Sequence, residues 1–137
     1  MNLESKLKAA FVAECRQAGA WARRHEDRYA LGMLDMSIKF PNLPHIMVEA
    51  KLVPHQQFEP TPRQFEEGLR YEKAGGIAVL IAWDPKTMRM YVHQWVNTTH
   101  KEDSWPPDGA APGLHVQALR TWLINRATAS LGRKENG

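Results

Sequence analysis

Residues 77–83, IAVLIAW, constrain the fold of this chain more than any other stretch of its sequence. The run is apolar without interruption and rich in β-branched residues, a pattern typical of a strand that is covered on both faces. A helix is predicted just before it, starting at Thr61-Pro62 and ending at the pair Gly75-Gly76. A strand buried on both faces needs a layer on each side of its sheet, so an α/β architecture is expected.

The other periodicities predict a mixed sheet flanked by helices. Alternating or apolar runs between turn residues predict the strands, and apolar residues at helical spacing predict the helices. The predicted strands cover 20–24, 33–40, 45–52, 77–83 and 88–96, and the predicted helices cover 3–18, 61–74 and 115–131. The turn PNLP joins the second and third strands into a hairpin, and the fifth strand is placed toward a sheet edge. The element order is therefore α-β-β-β-α-β-β-α.

The chain of 137 residues is expected to form one domain, with the αβββαβ core within residues 1–96. Residues 97–137 are expected to add an exposed loop, over 97–113, and a C-terminal helix packed on the same domain. No apolar stretch approaches the ~20 residues of a membrane span and no signal-peptide core is found, so a cytoplasmic location without membrane contact is expected. The lone Cys15 fits a reducing compartment and a structural role.

Glu49-x-Lys51 is the pattern that most strongly indicates chemistry. The triplet occurs twice, because Glu4-Ser5-Lys6 also matches it. On a helix, residues two apart point about 200° apart around the axis, so Glu4 and Lys6 diverge. On a strand, residues two apart share a face at ~6–7 Å, so Glu49 and Lys51 project side by side. Asp35, on the preceding strand of the hairpin, faces away from its apolar neighbours and toward the same patch.

Two carboxylates and an ammonium on one patch of a sheet form a recognisable chemical set. The carboxylates can hold a hard divalent cation such as Mg²⁺ through oxygen ligands. The lysine can orient or deprotonate a water, or stabilise charge that grows on a phosphate. The set therefore suits the hydrolysis of a phosphodiester.

The stretch GMLDMSI…HIMVEAKL resembles the D…(D/E)-x-K motif of the PD-(D/E)XK nuclease superfamily. The surrounding pattern resembles most closely its virus-type replication-repair (VRR-NUC) branch and the archaeal-type Holliday junction resolvases. The matching elements appear in the family's order over residues 4–92, and they are Glu4, GMLD, VEAK, Gln64 and KAGGIAVLIAW. Leu34 departs from the pattern, because the family usually has proline there. That proline shapes the entry to the strand and takes no part in the chemistry.

The resemblance implies a restriction-endonuclease-like fold and a metal-dependent DNA endonuclease. Asp35 and Glu49 would bind Mg²⁺, for which Mn²⁺ would substitute, with Glu4 assisting directly or through water. Lys51 would position the attacking water and stabilise the phosphate, and Gln64 would orient Lys51 or the water. The resemblance to the resolvases also implies branched DNA as substrate and a homodimer that places two active sites on opposed strands. A small nuclease of this kind is typical of a phage or prophage.

Structural alternatives exist for three of these residues. Taken alone, Asp35 is also a turn or strand-edge carboxylate. Glu4 is also a favourable first-turn charge against the helix dipole. Thr61-x-x-Gln64 is also a capping-box pattern, in which the glutamine would bond the backbone of the cap residue. Glu14 falls within the apolar stripe of the first helix and is expected to pair with Arg23 or Arg24.

The formal net charge of +3 permits a polyanionic partner without requiring one. The cations expected to face DNA near the catalytic edge are Arg23, Arg24, Lys39, Arg63 and Arg70, although solvated surface charge is an equal alternative for each. His25, His45 and His55 lack zinc-ligand spacing and are interpreted as loop or surface residues, and Trp83 and Trp95 as core.

Two rival functions remain open at this stage. One is a non-catalytic nucleic-acid-binding or assembly module on the same fold, for which the set of Asp35, Glu49 and Lys51 has no physical need. The other is a hydrolase of free nucleotides, which would require a closed pocket. The sequence offers no glycine-rich phosphate loop to build one.

Overall fold

The computed structural model describes residues 3–25, 35–52, 62–84, 86, 89–94, 101–105 and 115–136. These residues form three helices and six strands. The helices are α1 (Leu3–Gln17), α2 (Pro62–Lys73) and α3 (Val116–Asn136). The strands are β1 (Trp21–Arg24), β2 (Met36–Lys39), β3 (Ile46–Leu52), β4 (Ile77–Asp84), β5 (Arg89–Gln94) and β6 (Lys101–Trp105). The predicted α/β class with a mixed sheet and flanking helices is confirmed.

The six strands form one sheet in sequence order, from β1 to β6. Strands β3 and β4 are parallel, with Glu49 opposite Leu80, and all other neighbours are antiparallel. A parallel pair needs a crossover connection, and α2 lies in that connection. The chain therefore places α2 over one face of the sheet beside the start of the parallel pair.

Strand β4 is buried along its whole length, as its continuous apolar sequence predicts. On one face, alternate residues such as Val79 and Trp83 join the main core, to which α1 and α3 contribute. On the other face, Leu80 and its neighbours pack with Leu69 and Tyr71 of α2. Trp83 is thus a core residue as predicted, and Trp95 lies outside the described residues.

Helices α1 and α2 are each followed by a glycine with a left-handed backbone. The φ angle is +89° at Gly19 and +97° at Gly75, values that glycine adopts without steric cost. After α2, the amide of Gly76 donates to the carbonyl of Tyr71 at 3.0 Å, which satisfies one of the last helical carbonyls. Strand β4 begins at the next residue, so the tight stop sets where α2 ends against the sheet.

The prediction of an exposed loop over 97–113 was wrong in part, because residues 101–105 form β6. Strand β6 pairs with β5, so β5 is an inner strand and not the edge-ward one that was predicted. The sequence Lys-Glu-Asp-Ser-Trp lacks the apolar alternation by which the other strands were predicted. A strand at the edge of a sheet can be held by backbone pairing on one side and does not need two buried faces. The pairing shifts register between Val92 and His93, an irregularity that no periodicity reveals.

The C-terminal helix packs directly on the core. Leu119, Leu123 and Ala127 of α3 are fully buried within the same cluster as residues of α1. Glu14 bonds to Arg120 of α3, with Oε1 at 3.2 Å from Nη2, so its predicted pairing with Arg23 or Arg24 was wrong. None of the three described helices has the length and apolar character that crossing a membrane requires.

Candidate active site

Asp35 and Glu49 lie side by side where β2 and β3 meet. The register pairs Met36 with Val48, and Asp35 immediately precedes β2. The backbone amide of Asp35 donates to Oε2 of Glu49 at 3.1 Å, and the amide of Ala50 donates to Oδ2 of Asp35 at 3.1 Å. The structure therefore brings together the two carboxylates that the hairpin pattern singled out.

Glu49 is almost fully enclosed, with 1% of its surface exposed. Burial, followed by the nearby charge of Asp35, raises the pKa of Glu49 to about 8. The charges of Lys51 and Lys8 and the hydrogen bond from the Asp35 amide act in the opposite direction without cancelling this effect. A buried carboxylate beside a second carboxylate is a group that gains from an additional cation.

Glu4 reaches the same place from the first turn of α1. Its carboxylate accepts a hydrogen bond from the backbone of Leu52, at the end of β3. Burial would raise the pKa of Glu4, but the hydrogen bond and charge of Lys8, together with the charge of Lys51, hold that pKa below its ordinary value. Glu4 thus lies near Asp35 through Lys8 and is tied to the end of β3.

Lys51 lies two residues beyond Glu49 on β3, and the pleat places both side chains on one face. It is half-buried. Its positive charge contributes to the lowered pKa of Glu4 and acts against the raised pKa of Glu49, so its ammonium is within electrostatic reach of both carboxylates. This is the position from which a lysine can act on a group bound beside the carboxylates.

Gln64 approaches from the start of α2. Its Nε2 donates to Oε1 of Glu49 at 3.0 Å. With the amide of Asp35 on Oε2, both oxygens of the buried carboxylate receive a hydrogen bond. Gln64 therefore orients Glu49. The predicted alternative was a capping bond between Gln64 and the backbone of Thr61, and Thr61 lies outside the described part of the chain.

Lys8 is a site residue that the sequence analysis missed. Its Nζ lies 2.8 Å from Oε1 of Glu4 and 3.0 Å from Oδ2 of Asp35. Burial works to lower the pKa of Lys8, but the hydrogen bond to Glu4 and the charge of Asp35 leave it above its ordinary value. One signal for this lysine was present, because residues four apart on a helix lie on the same face and Lys8 follows Glu4 at that spacing.

The predicted DNA-facing cations do not share one surface. Arg23 and Lys39 are exposed on β1 and β2, and the pleat places them on the face that carries Glu49. Arg24 is half-buried, and its side chain lies on the opposite face of the sheet. Arg63 and Arg70 are exposed on α2, and Arg70 lies 3.3 Å from the carboxylate of Glu67.

The fold as a whole is similar to that of a known nuclease. The Holliday junction resolvase Hjc of Archaeoglobus fulgidus matches with a TM-score of 0.54 and 13% sequence identity, over 73% of this chain and 84% of that one. This chain shares the fold of that resolvase. The structure of a VRR_NUC domain also matches, with a TM-score of 0.48 and 20% identity, over 61% of this chain and 86% of that domain.

The similarity to PD-(D/E)XK nucleases that the sequence predicted is therefore confirmed at the level of the fold. No protein-family model matches this sequence. No curated protein matches it either. The assignment of the site residues therefore rests on their geometry and chemistry in this structure.

The carboxylate donors of this site are of the type that a divalent cation prefers, although the described side chains are not gathered around one point. Glu4, Asp35 and Glu49 supply carboxylate oxygens, the ligands that Mg²⁺ and Mn²⁺ prefer. Burial and then the charge of Asp35 raise the pKa of Glu49 despite the two lysines, so a further cation beside it would favour its charged form. Among the described residues, no three acidic, histidine or cysteine side chains are already gathered as a metal site. Lys8 contacts both Glu4 and Asp35, so a metal would compete with its ammonium for those oxygens.

Proposed function

We propose that this chain is a metal-dependent endonuclease that hydrolyses phosphodiester bonds in DNA. The observation that carries the proposal is the placement of Asp35 beside Glu49, with both carboxylates held by backbone amides, on the fold of a Holliday junction resolvase. A binding module gains nothing from enclosing two adjacent carboxylates, when burial and then their mutual repulsion raise the pKa of Glu49. A catalytic site does gain, because the same arrangement is ready to hold a cation.

In this proposal Glu4, Asp35 and Glu49 hold Mg²⁺, and Mn²⁺ substitutes for it. The bound metal would supply positive charge to the phosphate and lower the pKa of a water molecule. Gln64 keeps the carboxylate of Glu49 in one orientation through its 3.0 Å hydrogen bond. Preorganised ligands of this kind avoid reorganisation during the reaction.

Lys51 has the most direct chemical role among the residues that do not bind metal. Its ammonium shares the face of β3 with Glu49 and lies within reach of Glu4. From there it positions the attacking water and stabilises the negative charge that develops on the phosphate. That interaction strengthens as the transition state forms, so it contributes to the rate more than to binding.

Branched DNA is the proposed substrate, and a homodimer is the proposed assembly. The similarity to a protein described as a Holliday junction resolvase supports the first, since its fold is shared over most of both chains. Two copies would be needed to cut opposed strands of one junction, because one chain carries one group of Asp35, Glu49 and Lys51. Light scattering of the protein alone and with a four-way junction measures the number of copies.

Cleavage assays test the proposal directly. Labelled four-way, flap and linear duplex DNA and single-stranded RNA would be incubated with the protein and Mg²⁺, Mn²⁺, Ca²⁺ or chelator. We expect cleavage of the branched substrates with Mg²⁺ or Mn²⁺ and none with chelator. Asp35→Asn and Glu49→Gln preserve side-chain shape and should each reduce the rate by several orders of magnitude.

Glu14→Gln is the control, because Glu14 is a half-buried carboxylate of α1 that bonds to Arg120 and not to a residue of the site. It should cleave like the wild type. DNA binding without cleavage under any metal would favour the non-catalytic module. Full metal-dependent cleavage by Asp35→Asn would refute the assignment of the site.

A further inference from the structure

On the sheet face that carries the active site, two side chains of β1 are exposed to solvent. Helix α2 packs on this face over β4, through Leu69 and Tyr71. On β1, at the other side of the same face, Trp21 is 56% exposed and Arg23 is exposed. An exposed tryptophan on a strand of a folded sheet is unusual, because this side chain carries a large apolar surface.

The ring of Trp21 lies beside the ring of His45, which in turn contacts Tyr71. Its centroid lies 6.2 Å from that of His45, with the planes tilted by 40°. His45 in turn meets Tyr71 edge-on at 5.7 Å, and its Nδ1 shares a hydrogen bond with the Tyr71 hydroxyl. The three rings therefore form a connected series, called here the aromatic row, that runs from α2 to the exposed ring of Trp21.

The charges around the exposed end of the aromatic row are positive. Trp21 pairs with Lys39 across the β1–β2 ladder, and Arg23 is two residues further along β1 on the same face. Both side chains are exposed. The described segments that build this surface, 21–25 and 36–46, contain no Asp or Glu. An aromatic platform between two cations is complementary to a nucleobase and its flanking phosphates.

The aromatic row also lies at a defined distance from the candidate active site. Lys39, the partner of Trp21, follows Asp35 by four residues along an extended chain. At ~3.3 Å per residue this places the two positions about 13 Å apart on one face. One strand of DNA covers that distance in about four stacked nucleotides, at ~3.4 Å each.

We propose that Trp21, flanked by Arg23 and Lys39, is a subsite for an unpaired nucleotide of the substrate strand. The inference rests on the proposed function and adds to it the class of DNA that is recognised. A base inside a duplex has both faces covered by its neighbours, so only an unpaired or frayed base can stack on Trp21. The surface thus selects branched or single-stranded regions a few nucleotides from the bond that is cut.

Binding measurements on an inactive background test the subsite. Asp35→Asn protein would be titrated with a fluorescent single-stranded oligonucleotide and with a blunt duplex of the same sequence. Adding Trp21→Leu, which keeps an apolar side chain but removes the ring, should weaken binding of the single strand by about 5- to 150-fold. It should change duplex binding little. Trp21→Phe keeps a ring and should stay within a few-fold of the parent.

Two further readouts report on stacking and on the cations. A 2-aminopurine in the oligonucleotide should be quenched on binding by the Asp35→Asn parent and by Trp21→Phe, but not by Trp21→Leu. Arg23→Gln and Lys39→Gln should each lower the magnitude of the salt dependence of single-strand affinity by about 0.7 in log–log slope. Arg126→Gln, on α3 away from this face, should leave the slope unchanged.

The outcomes separate this inference from the proposed function. Unchanged single-strand affinity in Trp21→Leu would overturn the subsite even if the wild type cleaves branched DNA. A change in oligomeric mass without a change in oligonucleotide affinity would mean that Trp21 contacts a second copy of the chain, which also overturns it. Absence of both nucleic-acid binding and cleavage by the wild type would reject the proposed function and the subsite with it.

Discussion

Lys8 and Asp35 form an ion pair between α1 and the start of β2, with Nζ 3.0 Å from Oδ2. The same ammonium lies 2.8 Å from Glu4. Lys8 is largely enclosed, with 11% of its side chain exposed, so solvent screens these contacts less than it would on the surface. The structure therefore compensates part of the carboxylate charge with a residue of its own.

Replacing Lys8 should make the stability of the protein depend on metal. In chelator, Lys8→Met should lower the free energy of unfolding by about 1.5–3 kcal/mol, because charged hydrogen bonds are lost and the carboxylates keep their repulsion. With Mg²⁺ in excess, the variant should recover more stability than the wild type gains, because the ammonium no longer competes for Glu4 and Asp35. Denaturant unfolding with and without Mg²⁺ measures both effects.

Lys6→Met is the matched control for this experiment, since Lys6 is exposed on the same helix. It should unfold like the wild type in either buffer. An equal gain from Mg²⁺ in the wild type and in Lys8→Met would contradict competition between Lys8 and the metal.

The free energy of unfolding should fall as pH rises through the neutral range, because of the raised pKa of Glu49. Its folded pKa of about 8 lies above its ordinary value of 4.5, so the folded protein keeps a proton that the unfolded chain releases between these values. The stabilising contribution is complete below pH 4.5 and is lost as pH rises through about 8. Urea unfolding in chelator at several pH values would show a flatter profile for Glu49→Gln than for the wild type.

Lys51 should matter more for the rate of cleavage than for the affinity of DNA. Lys51→Ala removes a charge that acts chiefly as the phosphate becomes more negative, so single-turnover cleavage should fall far more than binding. Lys51→Arg keeps the charge but presents a wide planar fork, and it should remain badly impaired. Equal proportional losses of rate and affinity in Lys51→Ala would make Lys51 a simple phosphate contact.

Gly76 should be intolerant of even one added methyl group. A Cβ at this position would overlap the ring of Tyr71, so the ring would have to leave its contact with His45. Gly76→Ala should lower stability by about 1–3 kcal/mol, as is usual when a packed site is overfilled. Gly132→Ala is the control, because nothing lies within 4 Å of the added atom on α3, and there the substitution should be neutral or stabilising in thermal unfolding.

Much of the candidate site was predictable because strand geometry has a fixed period. Residues two apart on β3 share a face, so Glu49 and Lys51 are neighbours once 45–52 is recognised as a strand. The prolines of PNLP predict the hairpin that brings Asp35 beside Glu49. The continuous apolar run of β4 likewise predicts layers on both faces of the sheet, and the structure has them.

The sequence by itself thus determined the helices, the first five strands, the mixed sheet and the pair Asp35 and Glu49, because these depend on local periodicity and on one short turn. Only the tertiary structure decided which distant groups meet them. Lys8 reaches Asp35, Arg120 pairs with Glu14, and Trp21 lies against His45 through the packing of helices and strands far apart in the chain. Strand β6 was likewise decided only by the tertiary structure. It is held by pairing with β5, and its mostly polar residues show no apolar periodicity in the sequence.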